Sequence, residues 1–232
     1  MPTCNKNSTH NGALTRANST SINRLCSRQS PHYVKIPLMS KPIKVITTPD
    51  PRLRQKSTKV KAGDPEVSKI ADEMIQSCLD WEKEHEFELS AAMAAPQLGY
   101  NRRIIVIRDD MDDKANANFV PLLNPEVIKT EGATQYDYEG CLSVPTIYGK
   151  VPRPAKARIK AQLIDGTEVR LKATDFLART LLHEIDHLNG ILFIDHIKDQ
   201  TDAFYKLNDK GDLEPLDYDK FIKDNKELWP DD

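Results

Sequence analysis

The chain has 232 residues, 39% of them hydrophobic and 29% charged, with a formal net charge of −2. That length suits one domain, long enough to bury about 70% of the surface its unfolded chain exposes. A charge so near zero offers no broad basic field for nucleic acid, and no apolar run approaches the roughly 18 residues that a helical bilayer crossing needs.

Residues 1–38 are rich in Ser, Asn and Thr, carry Lys6, Arg16, Arg24, Arg28 and Lys35, and contain no acidic residue. Such a stretch cannot build a core and reads as a disordered leader. Its acid-poor, Arg- and Ser-bearing composition resembles an organellar transit peptide, which would place the protein in a mitochondrion or plastid. The other reading starts the protein at Met39, makes the leader an extension, and fits a bacterial-type cytoplasm. Four cysteines without a C-x-x-C pair argue for a reducing compartment rather than a disulfide framework.

The folded domain is expected over residues 39–200. Val45 to Thr48 reads as a short strand closed by the Pro49-Asp50-Pro51 turn. Asp64 is an N-cap with Pro65 at the first helical position, and Val67, Ile70, Met74, Cys78 and Leu79 recur at helical spacing to about Glu84. Cys78 on that stripe is a packing residue. Arg103 to Arg108 reads as a buried strand, Asp109 to Asn118 as a loop, and Phe119 to Val127 as another strand. Ile159, Ala161 and Leu163 alternate with polar residues before a two-residue Asp165-Gly166 turn into Val169 and Leu171, an antiparallel hairpin pattern. Thr174 and Asp175 cap a second helix that stops at Asn189-Gly190. Residues 201–232 form an acidic tail with room for a short helix and no clear amphipathic anchor.

That second helix carries His183-Glu184-Ile185-Asp186-His187. Two histidines four residues apart differ by only about 40° around a helix, so they share a face and can share a metal ion. The glutamate beside the first can reach a water in the metal's open position. Several metallopeptidase classes complete this string differently. The position six beyond His187 is Phe193, which cannot ligate. Glu227 and Asp231 have the spacing of a following ligand helix, but Pro230 lies between them. The remaining donor is Cys141, Gly-flanked in Glu139-Gly140-Cys141-Leu142-Ser143; a thiolate with two imidazoles leaves a tetrahedral metal one position for water. Glu139 is a candidate for orienting the Cys141 loop, paired with Arg153.

Three separated motifs now stand in order: Ala94-Ala95-Pro96-Gln97-Leu98-Gly99, Glu139-Gly140-Cys141-Leu142-Ser143 and His183-Glu184-Ile185-Asp186-His187. Together they resemble peptide deformylase over about Ile43 to Ile197. The resemblance implies an α+β fold with antiparallel strands packed around a central helix that carries the H-E-x-x-H motif. It implies one divalent metal, iron(II) first with zinc, nickel or cobalt as substitutes, bound by Cys141, His183 and His187. It implies Glu184 as general acid/base and the Gln97 amide and Leu142 N–H as oxyanion donors. The Ala92 carbonyl and Gly140 are the implied substrate contacts. The implied substrate is an N-formylmethionyl nascent peptide, with transient ribosome contact and no direct nucleic-acid or membrane binding.

The sequence departs from the family pattern in three places. Ser90 and Ala92 stand where the first motif has glycines, and Leu182 stands where glutamine precedes the first ligating histidine. If those glycines needed positive φ, alanine would cost on the order of 1 kcal/mol; Leu182 implies altered packing. A general metallopeptidase is the second enzymatic reading, and a non-catalytic metal-bearing protein the third. The retained Glu184 argues against the last, because a structural metal site has no use for it.

Overall fold

A computed structural model of the chain describes residues 43–85, 89–109, 111 and 117–230. The leader over 1–38 and most of the expected loop over 109–118 lie outside the described residues. In chain order the strands are β1 (Ala92–Ala94), β2 (Ile104–Arg108), β3 (Phe119–Cys141), β4 (Val144–Gln162), β5 (Glu168–Thr174), β6 (Phe204–Leu207) and β7 (Leu213–Pro215). The helices are α1 (Pro65–Glu84), α2 (Asp175–His187) and the short α3 (Tyr218–Phe221), with 3-10 turns at Pro51–Arg54, Ala95–Leu98 and Phe193–Ile197. One sheet runs β1-β2-β3-β4-β6-β7, with β5 also on β4, and every pairing between these strands is antiparallel.

Alternation decides which helix each strand meets. Met93, Ile104, Val106 and Leu123 face α1 with Val67, Ile70, Met74 and Cys78, the stripe expected from the sequence. Ala92, Ala94, Ile105, Ile107, Ile159, Ala161, Val169 and Leu171 face the α2 side with Leu181, Leu182 and Ile185. β2 is covered on both faces, which is why its sequence is a continuous apolar run rather than an alternating one. α1 begins as read: the Asp64 side chain accepts from Glu66 N, with Pro65 at the first turn.

Several expectations need correction. Residues 43–47 are in no strand; Ile46 N donates to Gln97 O at 2.8 Å and Thr48 N to Ser143 O at 2.9 Å, so the segment bridges two loops instead of joining a ladder. β3 continues past Val127 to Cys141, and from Glu126 to Tyr138 almost every residue is exposed. Cross-strand pairing with β4 through four register shifts forms this ribbon, and no core contact marks it in the hydrophobic pattern. The β4–β5 turn uses three residues. Gly166 N donates to Leu163 O, Leu163 N to Thr167 O, and Gly166 at φ 87° supplies the left-handed step of a type I turn with a bulge. Thr174 precedes α2 but makes no side-chain cap, because it still pairs with Lys156 as the last residue of β5. The tail is anchored: Ile222, Leu228 and Trp229 are buried against Phe193 and Phe204, and Trp229 Nε1 donates to Ile222 O at 2.7 Å. No helix among the described residues is long and apolar enough to cross a membrane.

α2 ends in a Schellman arrangement, with Ile191 N donating to Asp186 O, Gly190 N to His187 O, and Gly190 at φ 77°. A Cβ on Gly190 would stand 2.3 Å from the Arg54 carbonyl oxygen, whereas one on Gly63, at φ 79°, would meet nothing within 4 Å. Gly190→Ala is therefore expected to lose about 2–4 kcal/mol and Gly63→Ala about 1 kcal/mol, read by urea unfolding. Equal losses would mean that the close approach to Arg54 carries no cost.

Candidate metal centre

Each motif is held by its own local structure. After β1 the chain turns through Ala95–Leu98 and is closed by Gly99 at φ 82°. Gln97 is fully buried there, and its Oε1 accepts from Ala94 N at 2.9 Å. With the oxygen so occupied, Nε2 points at Cys141 Sγ, 3.6 Å away, and Ser143 Oγ, 3.4 Å away. Cys141 ends β3 opposite Val144, so Leu142 and Ser143 are the two tip residues of the β3–β4 hairpin. The Gln97 and Cys141 loops are tied to one another by the 43–48 segment described above.

His183 and His187 stand one turn apart on α2, each 1% exposed, with ring centroids 5.0 Å apart. Ligand atoms of Cys141, His183 and His187 all lie within 4.8 Å of one another, and Cys141 Sγ is 3.2 Å from His187 Nε2. His183 Nδ1 meets Glu139 Oε2 at 2.9 Å, which leaves Nε2 toward the cluster with no partner. Both Glu184 carboxylate oxygens are likewise buried without a partner among the described residues, and burial raises that carboxyl to about 7. Burial lowers His187 to about 4, so its imidazole is neutral and able to ligate. Buried polar atoms of this kind are rarely left unsatisfied. One soft thiolate, two imidazoles and orphaned atoms beside them fit a divalent cation of the iron or zinc kind.

Glu139 is the hub beneath the cluster. Its carboxylate is fully buried and accepts from Arg153 Nε at 2.9 Å, Arg153 Nη2 at 3.0 Å and Arg179 Nη1 at 2.6 Å, besides meeting His183. Burial alone would raise its pKa, but hydrogen bonds from His183 and Arg153 outweigh it and hold the carboxyl well below the usual range. Arg153 Nη1 continues to Asp186 Oδ2 at 2.5 Å, where His196 Nε2 also arrives at 2.8 Å. The pairing with Arg153 agrees with the expectation from the sequence, but the carboxylate meets His183 as well as standing on the strand that carries Cys141. Arg179, Asp186 and His196 were not readable from the sequence: Arg179 lies one turn before His183 on α2, a spacing that alone says nothing about a carboxylate on β3.

The departures from the pattern cause no backbone strain. Neither Ser90 nor Ala92 is among the residues with positive φ. Ser90 N donates to Glu82 Oε1 at 2.7 Å, and Arg108 pairs with the same Glu82 at 2.5 Å while its Nε donates to Ser90 O at 3.3 Å. A buried ion pair thus fixes the entry to β1. Ala92 pairs with Ile107 on that first strand of the sheet, Gly140 stands opposite Tyr148, and Leu182 packs in the α2 cluster. Phe193 stacks on His183 at 6.1 Å, and Glu227 is exposed, so neither completes the cluster.

The polypeptide deformylase family model matches residues 42–203. The chain belongs to the polypeptide deformylase family. The peptide deformylase of Thermomicrobium roseum is 42% identical over 164 residues, covering 69% of this chain and 89% of that one. That of Caldicellulosiruptor bescii is 39% identical over 177 residues, covering 74% and 98%. A solved peptide deformylase from Synechococcus elongatus superposes with a TM-score of 0.61 at 32% identity, covering 70% of this chain and 82% of that one. A plant peptide deformylase gives 0.60 at 30% identity. The chain is thus a deformylase, an enzyme that takes the formyl group from the N-terminus of nascent peptides, and the family's chemistry is metal-dependent.

Because Glu139 orients His183, Glu139→Gln is expected to weaken metal affinity by about 10–100-fold. Metal content after dialysis against a chelator series measures this; unchanged retention would remove the orienting role.

Proposed function

We propose that Cys141, His183 and His187 hold the metal at which the formyl group of an N-formylmethionyl peptide is hydrolysed, and that Glu184 moves the proton. The observation that carries this reading is the pair of partnerless, buried Glu184 oxygens beside a thiol and two imidazoles. A carboxylate left in that state serves no structural end. The bound cation, iron(II) in the first place with zinc, nickel or cobalt as substitutes, supplies Lewis acidity that activates water and polarises the formyl carbonyl.

The protein groups do the rest. Glu184 accepts the proton of the attacking water and returns it to the methionine nitrogen as the C–N bond breaks, releasing formate and a free amine. As charge builds on the formyl oxygen, the Gln97 Nε2–H and the Leu142 N–H are the donors that meet it. The Gln97 amide is well suited, since Ala94 N already fixes its other end. The peptide is read as lying along β1, whose second edge pairs with no strand among the described residues, with the Ala92 carbonyl accepting a substrate N–H and Gly140 leaving room beside Cys141. α2 is the central helix of the α+β fold in this reading, since β1, β3, β4 and β5 all pack against it. The catalytic domain is taken as 39–200, and the compartment as a bacterial-type cytoplasm, or an organelle if residues 1–38 direct import. Transient contact with the ribosome belongs to the same reading.

The test is formate release from a short formyl-methionyl peptide by purified variants. Glu184→Ala is expected to keep its metal and lose about 100–10,000-fold in kcat. Cys141→Ala is expected to lose the metal itself. Full turnover by Glu184→Ala, or cleavage of an internal peptide bond in place of formate release, would overturn the assignment.

A further inference from the structure

The side of the sheet that α1 covers over β1 and β2 continues across β3, β4 and β5, where Lys129, Arg158, Arg170 and Lys172 are exposed among the described residues. Cross-strand register sets Lys129, Arg158 and Lys172 side by side in one row over three strands, and Lys160 directly opposite Arg170 in the next. The intervening residues Ile159, Val169 and Leu171 turn the other way into the core. Like charges directly opposite each other weaken an antiparallel ladder, so two such rows oppose folding unless a further charge meets them. Glu131 on this face accepts from Arg158 at 2.8 Å and meets Lys129 at 3.0 Å, and Glu168 meets Lys160 at 3.2 Å. Glu126, opposite Lys160, is held instead by Lys59 at 2.7 Å. The whole-chain charge of −2 conceals this local concentration of cations.

Farther along the same face stand two rings. Tyr136 lies opposite Pro152 and Tyr138 opposite Lys150, 61% and 37% exposed, and Tyr138 rests edge-on against Tyr205 at 4.9 Å. From Lys160 to Lys150 the strand covers about 33 Å at the usual rise. Cations that track a backbone, followed by exposed rings that accept bases, are the two parts of a single-strand nucleic-acid surface. The exposed faces of Tyr136 and Tyr138 offer platforms on which unpaired bases stack, beside the cations that a phosphate backbone needs.

We propose that the outer face of β3, β4 and β5 binds single-stranded RNA, with Lys129, Arg158, Lys160, Arg170 and Lys172 on phosphates and Tyr136 and Tyr138 under bases. The surface shares no residue with the metal cluster and lies across the sheet from α2, so it stands or falls separately from the deformylation reading.

Fluorescence anisotropy of a labelled single-stranded RNA of about 20 nucleotides, titrated with full-length protein over a salt series, tests it. The parent is expected to bind. Arg170→Glu with Lys172→Glu is expected to weaken binding at least about tenfold and to flatten the salt slope, and Tyr136→Ala with Tyr138→Ala to weaken binding at unchanged slope. Lys223→Glu, on the tail, is expected to bind as the parent does, and all carry the same leader. The charge variant should keep its formate release and melt no lower than the parent, since it turns like-charge pairs into opposite-charge ones, and this separates lost binding from lost folding. No binding by the parent, equal binding by the charge variant, or binding to phosphatidylserine vesicles in place of RNA would overturn the proposal; inactivity of the parent on formyl peptide would bear only on the other reading.

Discussion

One buried carboxylate holds the site together. Glu139 sits on β3 with no exposure to solvent and gathers Arg153 from β4, Arg179 and His183 from α2. Removing one partner of a buried charged pair typically costs about 3–5 kcal/mol, because the other is left uncompensated. Here the carboxylate bonds the sheet to the helix and also fixes which nitrogen of His183 faces the cluster. A charge buried at such cost makes sense where it orients a ligand, and a carboxylate behind a metal-binding histidine does that.

Glu139 and Glu184 differ in what surrounds them, and the difference underlies the roles proposed for each. Both are fully buried, but the first is saturated with donors and held ionised, while the second has none and is pushed up to about 7. Burial is the same physical term in the two cases; the partners differ. A saturated carboxylate cannot move a proton without breaking the network around it. A partnerless one beside Cys141 and His187 can.

The site was more legible in the sequence than the fold around it. Cys141, His183 and His187 could be grouped because a helix imposes the spacing of the histidines, and because Phe193 cannot ligate and Pro230 interrupts the Glu227 segment, which leaves the Gly-flanked Cys141. The stripe of α1 and the apolar run of β2 were legible for the same reason, since burial writes a period into the residues. The length of β3 beyond Val127 was not, because its partners are backbone groups of β4 and almost all of its side chains from Glu126 to Tyr138 face solvent. The anchoring of Ile222, Leu228 and Trp229 was hidden too: their spacing follows an irregular path, not a regular helix. The row of Lys129, Arg158 and Lys172 depends on register across three strands, which composition averages away.

The central claim is that a sulfur and two imidazole nitrogens share one cation. X-ray absorption at the zinc edge of the zinc-loaded protein tests this directly, because sulfur and nitrogen scatterers are resolved by their different distances of about 2.3 and 2.0–2.1 Å. One sulfur with two imidazole nitrogens is the expected shell. A shell without sulfur would contradict the account, however active the enzyme proved to be.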